Sequence, residues 1–356
     1  MALRLLSAVL LLVLARPAGA AEASVAGSSR VQSVVRARYL MGTVFRFEVP
    51  DDGDARPASQ ALEAALDEVQ RLESLLSNWQ KDSEVSLLNG RAGGGETPVS
   101  ADLLAVLESA IRWAAATHGA FDPTVEPLTR RTREGGVRTG KSPEDILPAG
   151  RTDIGWQRIR IDRPAGTVSL PAGGGLDFGG IAKGYALDRA ARILLERGFA
   201  SALLDAGGQI LARGHPPDQE GWLVAVADPM DRSQPVFPVM LRDVSMATSG
   251  NSERPGEIVD PRTGRPVAGR YSAVSFTADA TSADALSTAL FVMGPRRGTA
   301  WAKDRKDCLA MFLEPGEEPA DPLRVEGSAP QPSPDHVLLI IGVQDAATWS
   351  VHAENR

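Results

Sequence analysis

Leu62, Leu66, Val69, Leu72 and Leu76 recur at intervals of three and four, with charged and polar residues between them. That period places all five on one stripe and predicts an amphipathic helix over Ser59–Ser77. Leu103, Leu107, Ile111 and Ala114 repeat the pattern and predict a second helix with Gly119 as its stop. A third helix covers Ile181–Arg197 and is closed by Gly198. A fourth covers Ser282–Met293, capped by Ser282 and ended by Gly294.

Between the helices lie shorter apolar runs. Arg36–Val49 alternates in part and reads as one strand. Runs at 201–208, 222–228, 238–248, 271–278 and 308–314 read as further strands. The last, "HVLLIIGV" from His336, is either a sheet strand or part of a loosely attached tail. Strands and helices are mixed without a regular βαβ rhythm, which predicts the α+β class. No repeat of solenoid length is present.

Composition adds limits. The chain has 356 residues, 43% hydrophobic and 23% charged, enough to bury a substantial core. It opens "MALRLLSAVLLLVLARPAGAAEAS", with Arg4 before an apolar stretch, Leu5 to Ala15, and then Ala18-Gly19-Ala20. The stretch is short for a membrane span and has the form of a secretory signal with a small-residue cleavage site. Expected are a signal peptide over 1–20, a linker over 21–33, one main domain over 34–327, and a C-terminal extension over 328–356. Export to the periplasm as a soluble protein follows, with no transmembrane segment after cleavage. No cysteine near the cut could carry a lipid, and the one cysteine, Cys308, allows no intrachain disulfide. The net charge of −7 becomes more negative once Arg4 and Arg16 leave, which argues against nucleic acid as a partner.

Three strings could carry chemistry. "GGGLDFGGIAKGYALDRA", Gly173–Ala190, crowds glycines around Asp177 at a helix entrance, with Lys183 following. Backbone N–H groups and a helix N-terminus can hold phosphate there, or the glycines can serve close backbone packing. In "TSADALSTALFVMG", Asp284 and Thr288 are four apart on one helix face, with Thr281 a turn earlier. They are hard oxygen ligands suited to Mg²⁺, or ordinary residues of a first helical turn. "DPRTG" at Asp260–Gly264 is a turn signal inside a longer string that includes Glu257 and Arg254. The four histidines, at 118, 215, 336 and 352, are scattered, so a zinc centre or a Ser-His-Asp triad is poorly supported.

Taken together, "MGT" at Met41–Thr43, "LSNWQKDSEVSLLN" at Leu76–Asn89 and "GAFDPTVEPL" at Gly119–Leu128 form a collinear set. "LDFGGIAKGYALD", "LLDAGGQI", "ATSG", "DPRTGRPV" and "ADALSTALFVMG" continue it in order to Gly294. The set resembles the FAD:protein FMN transferase, or ApbE, family. The resemblance implies mixed or antiparallel sheets with packed helices, and FAD in a cleft between two lobes. It implies Mg²⁺-dependent transfer of the FMN half of FAD onto a threonine hydroxyl of an acceptor electron-transfer flavoprotein, releasing AMP. It implies metal ligands at Asp284, Thr288 and the carbonyl of Gly180, with Thr281 where some members place a further ligand. Implied flavin-nucleotide contacts fall on Met41, Trp79, Ala120, Phe121, Asp122, Asp177, Lys183 and Ile258. Members usually carry a histidine before the I-x-D-P turn, considered the general base; here that position is Glu257. Glu257 and Asp284 are therefore the expected catalytic residues. An aromatic common after "SG-x" is replaced by Ser252, the hairpin from Gly250 to Glu257 is short, and Trp79 stands where tyrosine is usual. Two other readings are an FAD pyrophosphatase yielding FMN and AMP, and an FAD-binding accessory without chemistry. Asp284 and Thr288 favour an enzyme over the last.

Overall fold

The computed structural model describes residues 33–51, 53–131, 153–217, 219–252, 254–303, 305–315, 336–341 and 350–352. The expected signal peptide and all of the linker except Ser33 lie outside these residues.

The frame is an eight-stranded sheet: β1 (Ser33–Leu40), β2 (Thr43–Pro50), β3 (Ala202–Ala206), β4 (Gln209–Arg213), β5 (Val244–Ser249), β6 (Ser272–Thr277), β7 (Leu309–Pro315) and β8 (His336–Ile341). Its spatial order is its chain order, and every neighbouring pair is antiparallel. The run over 36–49 is therefore two strands, not one. Met41 and Gly42 turn the chain with φ of 49° and 78°, and Leu40 pairs with Thr43. Two successive residues with positive φ suit the twist of a tight hairpin. The run over 238–248 is also divided. Asp243, at φ 52°, ends a strand over Pro235–Arg242 and begins β5. The first half belongs to a small sheet with Trp222–Ala227 and Ser350–His352, and the second to the main sheet. The "HVLLIIGV" run supplies an edge strand, and 350–352 joins the small sheet, so both described parts of the extension are paired strands.

Alternation gives the main sheet two apolar faces. Ile210, Val244, Met246, Val274, Phe276 and Met311 pack with Trp222, Val226, Val239 and Leu241 of the small sheet. On the other face Phe45, Phe47, Leu204 and Leu211 meet α1 (Ala55–Leu76) through Leu62, Leu66, Val69 and Leu72. The predicted stripe is thus the buried one, but the helix starts four residues early because Asp54 accepts from the N–H of Arg56.

The chain from 51 to 201 is inserted between β2 and β3. It holds α1, α2 (Glu84–Gly90), α3 (Ala101–Ala116), a small sheet of residues 97–98, 160–162 and 167–169, and α4 (Ala182–Glu196). A second core forms here from Leu103, Val106, Leu107, Trp113, Phe121, Phe178 and Ile181. It is completed by α5 (Ala280–Ala302) through Leu286, Ala289, Leu290 and Phe291. Ser282 does not cap α5. Asp279 does, its extended backbone letting its carboxylate accept from the N–H of Ser282. The expected end at Gly294 holds: φ there is 74°, and Pro295 begins a further helical piece.

Between the two cores α4 and α5 cross. Ala182 and Ala285 belong to one core, Ala186 and Ala280 to the other, so the boundary passes through Gly184 and Asp284. At Gly184 an added Cβ would stand 2.0 Å from the carbonyl oxygen of Ala280. Only glycine permits that approach. Gly184→Ala is expected to cost about 1–3 kcal/mol of stability or more, read from urea unfolding. Cys308 is buried, and burial pushes its thiol from 9.0 up to about 12. It is expected to resist iodoacetamide in the native protein at pH 8 and to react on unfolding. The unfolded thiol ionises first, so this group makes the native state lose relative stability as pH rises from 9.0 towards about 12.

Candidate active site

The glycine string enters α4 as a loop held from three sides. Asn78 and Asn89 both donate to the carbonyl of Leu176 at 2.9 Å, and Asn89 Oδ1 accepts from Leu176 N–H at 2.7 Å. Asp177 N–H donates to Pro123 at 2.7 Å. Its Oδ1 accepts from Gly179 N–H at 2.9 Å and its Oδ2 from the Thr129 hydroxyl at 2.7 Å. The Asp177 carboxylate is thus used first to shape the loop, which places Gly179 and Gly180 at the helix entrance. Such a loop, fixed before any ligand arrives, offers its backbone groups without a further ordering cost.

An α-helix leaves its first N–H groups without backbone partners. Ile181 at the cap of α4 supplies no side-chain bond. One of the free groups, Gly184 N–H, instead donates at 3.0 Å to Asp284 Oδ2. Asp284 is 4% exposed, and its other oxygen lies 3.5 Å from Lys183 Nζ. The same ammonium is 3.4 Å from the carbonyl of Gly179. Gly180 follows closely: a Cβ there would be 3.0 Å from Thr288 Oγ1 and 3.2 Å from the Phe121 ring. Ser249 Oγ lies 2.9 Å from Ser287 Oγ and 3.5 Å from Thr288 Oγ1.

Gly180, Lys183, Asp284, Thr288 and Phe121 are therefore one group, with Asp177 in the same loop. Thr281 is buried a turn before Asp284 and donates its hydroxyl to Asp188 Oδ2 at 2.5 Å. Ala120 and Phe121 are buried, the latter with its N–H on Thr117 Oγ1 at 3.2 Å. Asp122 is buried as well. Burial pushes its carboxyl above the ordinary range, while bonds from Thr124 act in the opposite sense. It opens on a cleft of about 380 Å³ with His118, Trp156, Gln157 and Arg262.

The remaining candidates stand on flanking turns. Trp79 is 72% exposed and follows directly on Asn78, which anchors it beside the glycine loop. Met41 N–H donates to Glu73 at 2.9 Å. Arg254 joins two of the turns: one nitrogen donates to the carbonyl of Gly42 at 3.0 Å, another to Glu257 Oε1 at 3.1 Å. Glu257 is half-exposed, and Ile258 behind it packs against the second core. Among the described residues, Glu257 is bonded to Arg254 rather than to any member of the Asp284 group.

Five positions that hold this group were not singled out from the sequence: Asn78, Asn89, Thr129, Asp188 and Ser249. All but Thr129 lay inside quoted motifs, but nothing local in their surroundings assigns them a partner.

A divalent cation can be judged against the donors. Among the described residues no three His, Cys, Asp or Glu side chains gather to hold a metal. One buried carboxylate, hydroxyls and loop carbonyls suit Mg²⁺, which commonly takes one or two carboxylates and completes its shell with water and substrate phosphate. The ammonium of Lys183 already lies towards Asp284 and the Gly179 carbonyl, so the site attracts positive charge. The residues fit the ion.

A family model described as the ApbE family matches residues 41–313. The FAD:protein FMN transferase of Treponema pallidum is 32% identical over 317 residues, covering 82% of this chain and 87% of that protein. Its counterpart in Klebsiella pneumoniae is 28% identical over 294 residues, covering 78% and 83%. Among solved structures, Flavin Transferase ApbE from Vibrio cholerae aligns with a TM-score of 0.73 at 25% identity, over 87% of this chain and 97% of that one. The ApbE protein from Thermotoga maritima gives 0.69 at 30% identity, over 76% and 90%. A match from the Met41 hairpin through β7, with the same antiparallel frame, leaves one conclusion: the chain belongs to the ApbE family.

Proposed function

We propose that this chain transfers the FMN moiety of FAD onto a threonine hydroxyl of an acceptor flavoprotein and releases AMP. The observation that carries the reading is the buried Asp284 carboxylate, held by Gly184 N–H next to Gly180, Lys183 and Thr288. Relatives named FAD:protein FMN transferase support it.

Asp284, Thr288 and the Gly180 carbonyl would hold Mg²⁺; Thr281, two turns before Thr288 on the same helix and bonded to Asp188, is too far from Thr288 to share that ion. When bound, the ion supplies charge neutralisation at the pyrophosphate. The chain's own part is positioning. The glycine loop and the start of α4 receive the pyrophosphate, and Lys183 brings a second positive charge to it. Met41, Trp79, Ala120, Phe121, Asp122, Asp177 and Ile258 border the rest of the dinucleotide. The threonine oxygen attacks the FMN phosphorus. The bond from that phosphorus to the bridging oxygen breaks, and AMP leaves with the electron pair. The threonine proton passes to Glu257, which must first part from Arg254.

The opening segment supports export to the periplasm, and among the described residues no helix is long and apolar enough to cross a membrane.

The Glu257–Arg254 pair, which engages the expected base, favours a second reading, in which the chain binds FAD without chemistry. One experiment separates the two. The protein is incubated with FAD, Mg²⁺ and candidate acceptor flavoproteins, and flavin retained on denatured acceptor is compared with AMP. Equal amounts are expected. AMP with free FMN indicates hydrolysis, and bound FAD with neither product indicates an accessory. Asp284→Ala is expected to lower transfer by about 10²-fold or more while flavin fluorescence still reports FAD binding. Glu257→Gln should lower transfer by about 10²-fold, and Glu257→His should retain it near neutral pH. An unchanged rate for Glu257→Gln reassigns that carboxylate to anchoring Arg254.

A further inference from the structure

Lys183 stands in the first turn of α4, where Ile181 is the cap and Ala182 the first helical residue. The partial positive charge of a helix start disfavours a cation there. The ammonium is nonetheless drawn to the helix crossing. Its side chain is 28% exposed, with Nζ 3.5 Å from Asp284 Oδ1 and 3.4 Å from the Gly179 carbonyl. Both separations exceed the usual N–H···O range of about 2.7–3.2 Å, so charge rather than close hydrogen bonding holds it.

The two oxygens of Asp284 are held differently. Oδ2 accepts from Gly184 N–H at 3.0 Å, at the point where the two helices approach most closely. Oδ1 meets the end of a flexible four-carbon stem. Oδ2 is therefore fixed and Oδ1 exchangeable. A carboxylate as buried as Asp284 needs a compensating charge, and Lys183 supplies it. A divalent ion at Asp284 and Thr288 would take the same oxygen and repel an ammonium a few ångströms away. The stem of Lys183 lets the displaced ammonium stay beside the glycine loop, where the pyrophosphate is received.

We infer that Lys183 is an exchangeable counter-ion of Asp284: it competes with the divalent cation for Oδ1 and passes to the pyrophosphate when FAD binds, so that FAD and the cation bind cooperatively. The inference rests on the cation and pyrophosphate readings above. Each ligand removes an obstacle to the other. The cation frees Lys183 for phosphate, and phosphate draws Lys183 away from the carboxylate. Linkage makes the effect equal in both directions.

The test is Mn²⁺ binding to the full-length, FAD-free protein, followed by the paramagnetic signal of free Mn²⁺. Wild type is expected to bind more tightly than Asp284→Ala; equal binding overturns the cation reading and this inference with it. Given that difference, Lys183→Met is expected to bind Mn²⁺ about 10-fold more tightly than wild type, because a like charge has left the carboxylate. Lys183→Gln should do the same, and decides the matter if the methionine variant does not fold. Lys183→Arg, which keeps the charge, should gain nothing; a gain there as large as in Lys183→Met overturns the inference. Unchanged or weaker binding without the charge also overturns it, since a lysine that only braces Asp284 leaves a poorer site when removed. The second readout is FAD affinity from flavin fluorescence, with and without Mg²⁺. The factor by which Mg²⁺ tightens FAD binding should fall about 10-fold in Lys183→Met. An equal factor in the two proteins overturns the transfer of Lys183 to pyrophosphate.

Discussion

The structure turns on the hydrogen bond from Gly184 N–H to the Asp284 carboxylate. A buried carboxylate without partners is unfavourable by several kcal/mol or more, depending on the surroundings. Here the backbone supplies the partner, from the free N–H groups at the start of α4. That is possible only because α4 and α5 approach until a glycine is required. The two cores abut along this contact, so the packing that stabilises each half also fixes the separation of the two helices.

The loop around this bond is prepared in the same manner. Asn78, Asn89 and Asp177 satisfy its polar backbone with side chains from distant segments. Lys183 balances Asp284 across the helix entrance. A carboxylate, an ammonium, a hydroxyl and loop backbone groups thus share one small volume. The flanking turns differ in character. Two of them are linked through Arg254, whose side chain is half-exposed, and the third carries the exposed Trp79.

Helices α1, α3, α4 and α5 were legible because they are long enough to show an apolar period or carry end signals; the seven-residue α2 was not predicted. The turns were less so. Met41 takes a left-handed conformation that its residue type disfavours, and Asp243 one that aspartate tolerates without requiring it. The cap of α5 was misplaced by three residues because Ser and Asp are both good caps and only the backbone geometry chooses between them. Motif order led to Gly180, Lys183, Asp284 and Thr288, which do come together. It did not disclose what holds them. The bonds from Asn89 to Leu176 and from Thr281 to Asp188 join residues some ninety positions apart. Such a partnership leaves no periodic trace along the chain.

The ladder between β2 and β3 closes a loop that runs from residue 51 to 201 and contains most of the second core. The entropy lost in closing a loop grows only with the logarithm of its length, about 0.6 kcal/mol for each doubling. The sheet is therefore nearly indifferent to how much chain departs from one strand before the next one begins. Its demand is on where the chain returns, and that return passes through the loop ahead of α4. In the history of such a fold, segments between the helices can lengthen or shorten at little thermodynamic penalty, while the few residues at the point of re-entry are held to one geometry.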